Sequence, residues 1–130
     1  MDRKKTAQDL GRRERQIMDA IFQLGEASVG EVRKSLADPP SYSAVRTMIG
    51  SLEQKGLLKH RRVGIKYVYR PTQSPAAASR SALKHLLRTF YRESPAEAVA
   101  TILEVAAGQL TAAELAKIES LIEQARKESP

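Results

Sequence analysis

The chain breakers of residues 1–73 leave room for short elements only. Ile17, Met18, Ile21 and Phe22 stand at i, i+1, i+4 and i+5, one helical stripe, and Gly25 supplies a stop. Ser28-Val29-Gly30-Glu31 is a capping box, so a second helix starts there, runs to about Leu36 and buries Val29, Val32 and Leu36. Pro39-Pro40 forbids its continuation. A third helix begins near Ser41–Ser43, carries Val45, Met48, Ile49 and Leu52 at helical spacing, and closes at Gly56. Two short strands follow, Leu58 to Arg62 and Ile65 to Arg70, around Val63-Gly64, and Pro71 ends the second. In that strand Ile65, Tyr67 and Tyr69 share one face, while Lys66, Val68 and Arg70 share the other. The order predicts a mainly α fold with a small β-wing, a winged helix-turn-helix over residues 1–73.

Residues 74–130 read as a separate helical region. Thr72 to Ala78 is rich in Pro, Ser and Ala and reads as a linker or a loose helix start. Three helices are expected after it. The first, roughly Ala77–Tyr91, has the stripe Leu83, Leu86, Leu87 and Phe90. The second opens on the capping box Ser94-Pro95-Ala96-Glu97, carries Val99, Ile102, Leu103 and Val105, and stops at Gly108. The third opens on the capping box Thr111-Ala112-Ala113-Glu114 and carries Leu115, Ile118, Leu121 and Ile122. A region this small, rich in Ala and poor in aromatics, makes a marginal core by itself. Its stripes are expected to meet a second copy of the chain, a three-helix dimerisation region. The alternative is that they fold back on the first 70 residues.

Charge narrows the partner. Residues 1–73 hold 15 Lys+Arg against 8 Asp+Glu, whereas residues 74–130 hold 7 of each, so the whole formal charge of +7 sits in the first part. Lys55, Lys59, Arg61, Arg62, Lys66 and Arg70 follow one another with no acidic residue between them. Such asymmetry points to a polyanion, above all nucleic acid; the plainer alternative is a basic surface that keeps the protein soluble. The absence of Cys excludes disulfides, thiol catalysis and thiolate metal sites. No apolar run reaches the ~18 residues of a membrane span, and the basic start Met1-Asp2-Arg3-Lys4-Lys5 lacks the apolar stretch of a signal peptide, so the cytoplasm is the expected compartment.

The side of the third helix opposite its apolar stripe shows Ser43, Arg46, Thr47, Gly50 and Gln54. All but Arg46 and Gln54 are small. Small residues let a helix approach base edges in a major groove, and a few long donors read them. Arg46 suits bidentate pairing with guanine, and the Thr47 methyl suits contact with a thymine methyl. Ser41 or Ser43 suits a phosphate at the helix N-terminus. Arg61, Arg62 and Lys66 lie on the hairpin, placed for backbone or minor groove. Each residue alone is an ordinary surface residue; the conjunction is specific.

Ser41-Tyr42-Ser43-Ala44-Val45-Arg46-Thr47-Met48-Ile49, Leu52 and Lys55-Gly56-Leu57-Leu58 resemble the recognition-helix signature of the penicillinase-repressor family (BlaI/MecI/CopY). Gly11 to Met18, Ser28 to Val32, the wing Gly64 to Pro71 and Gln109 to Leu115 resemble that family too, so the likeness spans roughly residues 9–127. The resemblance implies a homodimeric transcriptional repressor on a pseudo-palindromic double-stranded DNA operator. Ser43, Arg46 and Thr47 would read bases, and Lys66 and its neighbours would hold backbone.

Two departures matter. The copper-responsive branch has a Cys-rich metal site, and this chain has no Cys. The antibiotic-responsive branch is cleaved at an Asn-Phe bond, and the matching positions here are Leu103 and Glu104. Induction by a membrane sensor-protease would therefore need another bond. Rival readings are a small-molecule-responsive winged-helix regulator, disfavoured by few aromatics, and a non-specific basic DNA-binding protein. RNA binding would use Tyr42, Tyr67 and Tyr69 as stacking platforms, but their spacing suits a wing packed on a helix better. An enzyme is not expected. His60, among Lys59, Arg61 and Arg62, reads as a phosphate contact or a solvated residue, and His85 as a partly exposed helix residue. Glu97 has a capping role, while Glu93 and Glu104 lack partners at ligand spacing. No catalytic residue, metal or cofactor is expected.

Overall fold

The structure, a computed structural model, describes residues 10–130; the basic start at Met1–Lys5 lies outside the described residues. The element order is α1 (Arg12–Leu24), α2 (Val29–Ser35), α3 (Tyr42–Gln54), β1 (Leu58–Val63), β2 (Lys66–Pro71), α4 (Pro75–Phe90), α5 (Pro95–Val105) and α6 (Ala112–Glu128). The chain divides into two compact units, and the boundary falls between Leu83 and Lys84, inside α4.

In the first unit, α1, α2 and α3 close around one core with the hairpin at its side. Ile17, Ile21, Val32, Val45, Ile49 and Leu52 are fully buried there, joined by Leu58 of β1 and Tyr69 of β2. The spacing of these residues on each helix is the reason the helices pack as they do. The stops act where expected: Gly25 takes a φ of 83° and Gly56 a φ of 84°, left-handed values that favour glycine. The α2 capping box is complete, since Glu31 N donates to Ser28 Oγ at 3.3 Å and Ser28 N donates to Glu31 Oε1 at 3.0 Å. The turn from α2 to α3 is held by two arginines. Arg13 Nη2 donates to the Asp38 carbonyl and Arg33 Nε to the Pro40 carbonyl, both at 2.8 Å. Lys55 Nζ, at the end of α3, reaches Glu14 Oε2 of α1 at 2.8 Å.

The hairpin differs from the expected one. Val63 pairs with Lys66, so the two-residue turn is Gly64-Ile65 rather than Val63-Gly64. Gly64 takes a φ of 63°, the positive value that a tight hairpin turn needs, and β-branched Val63 cannot supply it. Ile65 is therefore at the tip, 94% exposed, and does not share the packed face of Tyr69. The base of the hairpin is tied to the α1–α2 loop by a bridge between Ala27 and Tyr69, whose N–H···O bonds are 2.9 and 2.8 Å. Leu36 caps the C-terminus of α2 and is only partly buried.

Ser74, in the stretch read as a linker or a loose helix start, caps α4: Ala77 N donates to its Oγ at 3.1 Å, and Pro75 takes the first helical position. The α6 capping box at Thr111 and Glu114 is complete, and the one at Ser94 is half made. Glu97 N donates to Ser94 Oγ, but Ser94 N donates to the Tyr91 carbonyl at 2.8 Å, which takes the place of a Glu97 side chain. Helix α5 ends at Val105, before Gly108. Within Lys84–Pro130 the one buried residue is Ala98. The apolar stripes of these helices stay largely open: Phe90 is 71% exposed, Ile102 56% and Leu121 59%, with Leu86, Val99, Leu103, Leu115 and Ile122 also exposed. Leu87 and Ile118 are half-buried. Among the described residues no helix is long and apolar enough to cross a membrane.

Candidate nucleic-acid interface

Helix α3 starts because Ser41 caps it, its Oγ accepting the Ala44 N–H at 3.1 Å. The hydroxyl hydrogen of Ser41 is not used by that bond and can be donated outward. Val45, Ile49 and Leu52 are completely buried, and this fixes the rotation of the helix about its axis. Ser43, Arg46, Thr47, Gly50 and Gln54 are consequently all exposed, on the side away from the core. A Cβ built at Gly50 meets nothing within 4 Å, so no neighbour inside the protein requires glycine there.

Beside α3 the hairpin forms the second wall of an open cleft of about 630 Å³. Ser28, Val29 and Gly30 of α2, Tyr42 and Arg46 of α3, and Ile65, Lys66, Tyr67 and Tyr69 line it. The structure thus brings Arg46 and Lys66 to one cleft. Burial holds the Tyr69 hydroxyl above the usual phenol range, so it stays protonated there at neutral pH.

Arg61, Arg62 and His60 of the wing have distinct places. Arg61 is ion-paired: its Nη2 lies 2.6 Å from Glu26 Oε1. Arg62, next in sequence but on the opposite strand face, lies over the Tyr67 ring at 5.9 Å from its centroid. His60, read as a phosphate contact or solvated residue, is exposed and also hydrogen-bonds Glu53 of α3 through Nδ1 and packs on Tyr67 and Tyr69. Sequence reasoning missed Glu26, Glu53 and the second role of Tyr67. Their partners lie 35 and 7 residues away for Arg61–Glu26 and His60–Glu53, at spacings that follow no local rule. Among the described residues no group of three or more His, Cys, Asp or Glu could hold a metal ion.

A helix with a lean polar outer face, set on a three-helix core beside a basic hairpin, defines a winged helix-turn-helix DNA-binding protein. The family model described as penicillinase repressor matches residues 10–124, and the chain belongs to that family. It is a DNA-binding transcriptional repressor by family. No curated protein matches the sequence. Among solved structures, the complex structure of hsRosR-S4 is similar with a TM-score of 0.59 and 19% identity, over 81% of this chain and 96% of that one; the likeness supports the fold. BpsR of Bordetella bronchiseptica, described with regulation of its DNA binding by 6-hydroxynicotinic acid, has a TM-score of 0.47 and 19% identity, over 91% of this chain and 76% of that one. An ArsR-like transcriptional regulator from Rhodococcus sp. RHA1 has a TM-score of 0.44 and 19% identity, over 75% of this chain and 85% of that one. At that level neither of these two bears on this chain.

Proposed function

We propose that the protein represses transcription as a homodimer, each chain laying α3 in a major groove of a pseudo-palindromic operator. The observation that carries the reading is the division of α3: Val45, Ile49 and Leu52 fully buried, Ser43, Arg46, Thr47, Gly50 and Gln54 exposed. Arg46 reads a base, Thr47 and Ser43 make short contacts beside it, and Ser41 donates to a phosphate at the helix start. Arg62 and Lys66 hold backbone from the wing, and Arg61 joins them only by leaving Glu26.

The second copy is supported by the open stripes of α4, α5 and α6. Large apolar residues at this exposure in a unit with one buried residue call for a partner surface. Phe90, at 71% exposure, contributes little to the fold of the monomer. Sedimentation of wild type and Phe90→Asp tests the assembly, with hydroxyl-radical footprinting of the bound duplex beside it. The reading expects dimers, two protections about one helical turn apart, and a folded monomer for Phe90→Asp. A wild-type monomer, or one unrepeated protection, contradicts it.

A further inference from the structure

Glu53 sits in the last turn of α3 and His60 in the middle of β1, and their side chains are bonded to each other. The bond joins a Glu53 carboxyl oxygen to the Nδ1 of the His60 ring. The imidazole packs on Tyr67, with centroids 4.6 Å apart and planes tilted by 45°, and on Tyr69 at 5.6 Å and 49°. Tyr67 in turn carries Arg62, whose Cζ is 5.9 Å from the ring centroid. The register places His60 opposite Tyr69 and Arg62 opposite Tyr67, all on one face of the hairpin. One chain of contacts therefore runs Glu53, His60, Tyr67, Arg62, from the recognition helix outward along the wing.

A two-stranded hairpin is marginal by itself in water. Here the base is anchored by Leu58 and Tyr69, which are buried, and by the bridge to Ala27. Beyond Tyr69 the hairpin has no buried residue; Tyr67 is 49% exposed and Val63 45%. The outer half thus lacks a core to set its angle. The Glu53–His60 bond is a directional tie to α3 at the level of Tyr69, and the His60 ring carries it to Tyr67 of that outer half.

We propose that Glu53 and His60 are positioning residues that set the angle of the wing against α3 and so place Arg62 on the DNA backbone. The proposal rests on the reading of α3 and the wing as the DNA interface. Neither residue touches DNA; both act through Tyr67 and Arg62.

The test is a salt series of duplex binding by the full chain, followed by fluorescence anisotropy. Arg62→Ala should reduce the slope of log affinity against log salt by about 1, the signature of a lost phosphate contact. His60→Leu and Glu53→Ala should each reduce the slope similarly while keeping a cooperative thermal transition. The double variant His60→Leu/Arg62→Ala should lose no more than Arg62→Ala alone, because both remove one contact. His60→Asn, which keeps a donor near the Nδ1 position, should recover most of the slope. A wild-type slope in both His60→Leu and Glu53→Ala, or full additivity in the double variant, overturns the proposal. Backbone contact is independent of sequence, so the series is run on native and scrambled duplexes alike. Equal affinity for the two would overturn operator reading by α3 and leave the slope comparison intact.

Discussion

Arg61 and Glu26 form a two-pronged ion pair, with Nη2 2.6 Å from Oε1 and Nε 3.3 Å from Oε2. Arg61's hydrogen bond holds the Glu26 carboxyl below its usual range, and the carboxylate raises the guanidinium further. The wing therefore offers its two adjacent arginines unequally. Arg62→Ala is expected to weaken duplex binding more than Arg61→Ala. Glu26→Gln, which releases Arg61 and removes a negative charge, should tighten binding to any duplex and steepen its salt dependence. Equal losses for the two arginines, with no gain for Glu26→Gln, would show that Arg61 already faces DNA.

Arg46 and Lys66 line the same cleft but are given different tasks. Arg46→Ala should cost about 1–3 kcal/mol of specific binding and relax the preference at one position of each half-site. Lys66→Ala should weaken native and scrambled duplexes alike. Competition binding against duplexes varied one position at a time separates the two outcomes. An equal loss on all sequences for Arg46→Ala would make it a phosphate contact.

Gly50 should give effects of opposite sign. Glycine inside a helix is less stable than alanine by about 0.5–1 kcal/mol, and a Cβ here meets nothing within 4 Å. Gly50→Ala should thus raise the melting temperature and, because the methyl stands on the outer face between Arg46 and Gln54, weaken operator binding. A stabilised variant with wild-type affinity would mean that α3 does not approach DNA along this line.

The elements were legible because their signals are local. Gly25, Pro39-Pro40 and Gly56 stop helices by backbone geometry, and the Ser28–Glu31 and Thr111–Glu114 boxes are made within four residues. The inner and outer faces of α3 follow from its period alone. Pairings across the fold were not legible. Glu26 meets Arg61 and Glu53 meets His60 only once β1 lies against the helical core, and nothing in the spacing of these charges selects those partners. The turn was misplaced by one residue because Val63 and Ile65 are equally strand-like, while Gly64 can serve either side of a turn. Ser94 looked like a full box because the sequence does not show that the Tyr91 carbonyl takes its N–H.

The Ser28–Glu31 box predicts a pH effect. Hydrogen bonds from the Ser28 backbone and then its side chain hold the Glu31 carboxyl below its ordinary value of 4.5. A carboxyl depressed by folding contributes stability that is present above 4.5 and lost as the pH falls through its folded value. Gln at this position keeps an acceptor oxygen and has no proton to take up. Wild type should therefore lose its stability advantage over Glu31→Gln as the pH falls from 4.5 through the lowered folded value of that carboxyl, as read by thermal melting. A gap that stays constant with pH would mean that the carboxylate charge contributes nothing to α2.

The central claim is that α3 reads sequence. Its most direct test is fluorescence anisotropy of the full chain on duplex DNA from its own upstream region, against a scrambled duplex of the same composition, at two salt concentrations. The account predicts a preference on the order of a thousandfold for the native duplex, retained at the higher salt, with two chains bound per site. Equal binding to both duplexes, falling steeply and in parallel with salt, would contradict it and leave a basic protein that binds backbone alone.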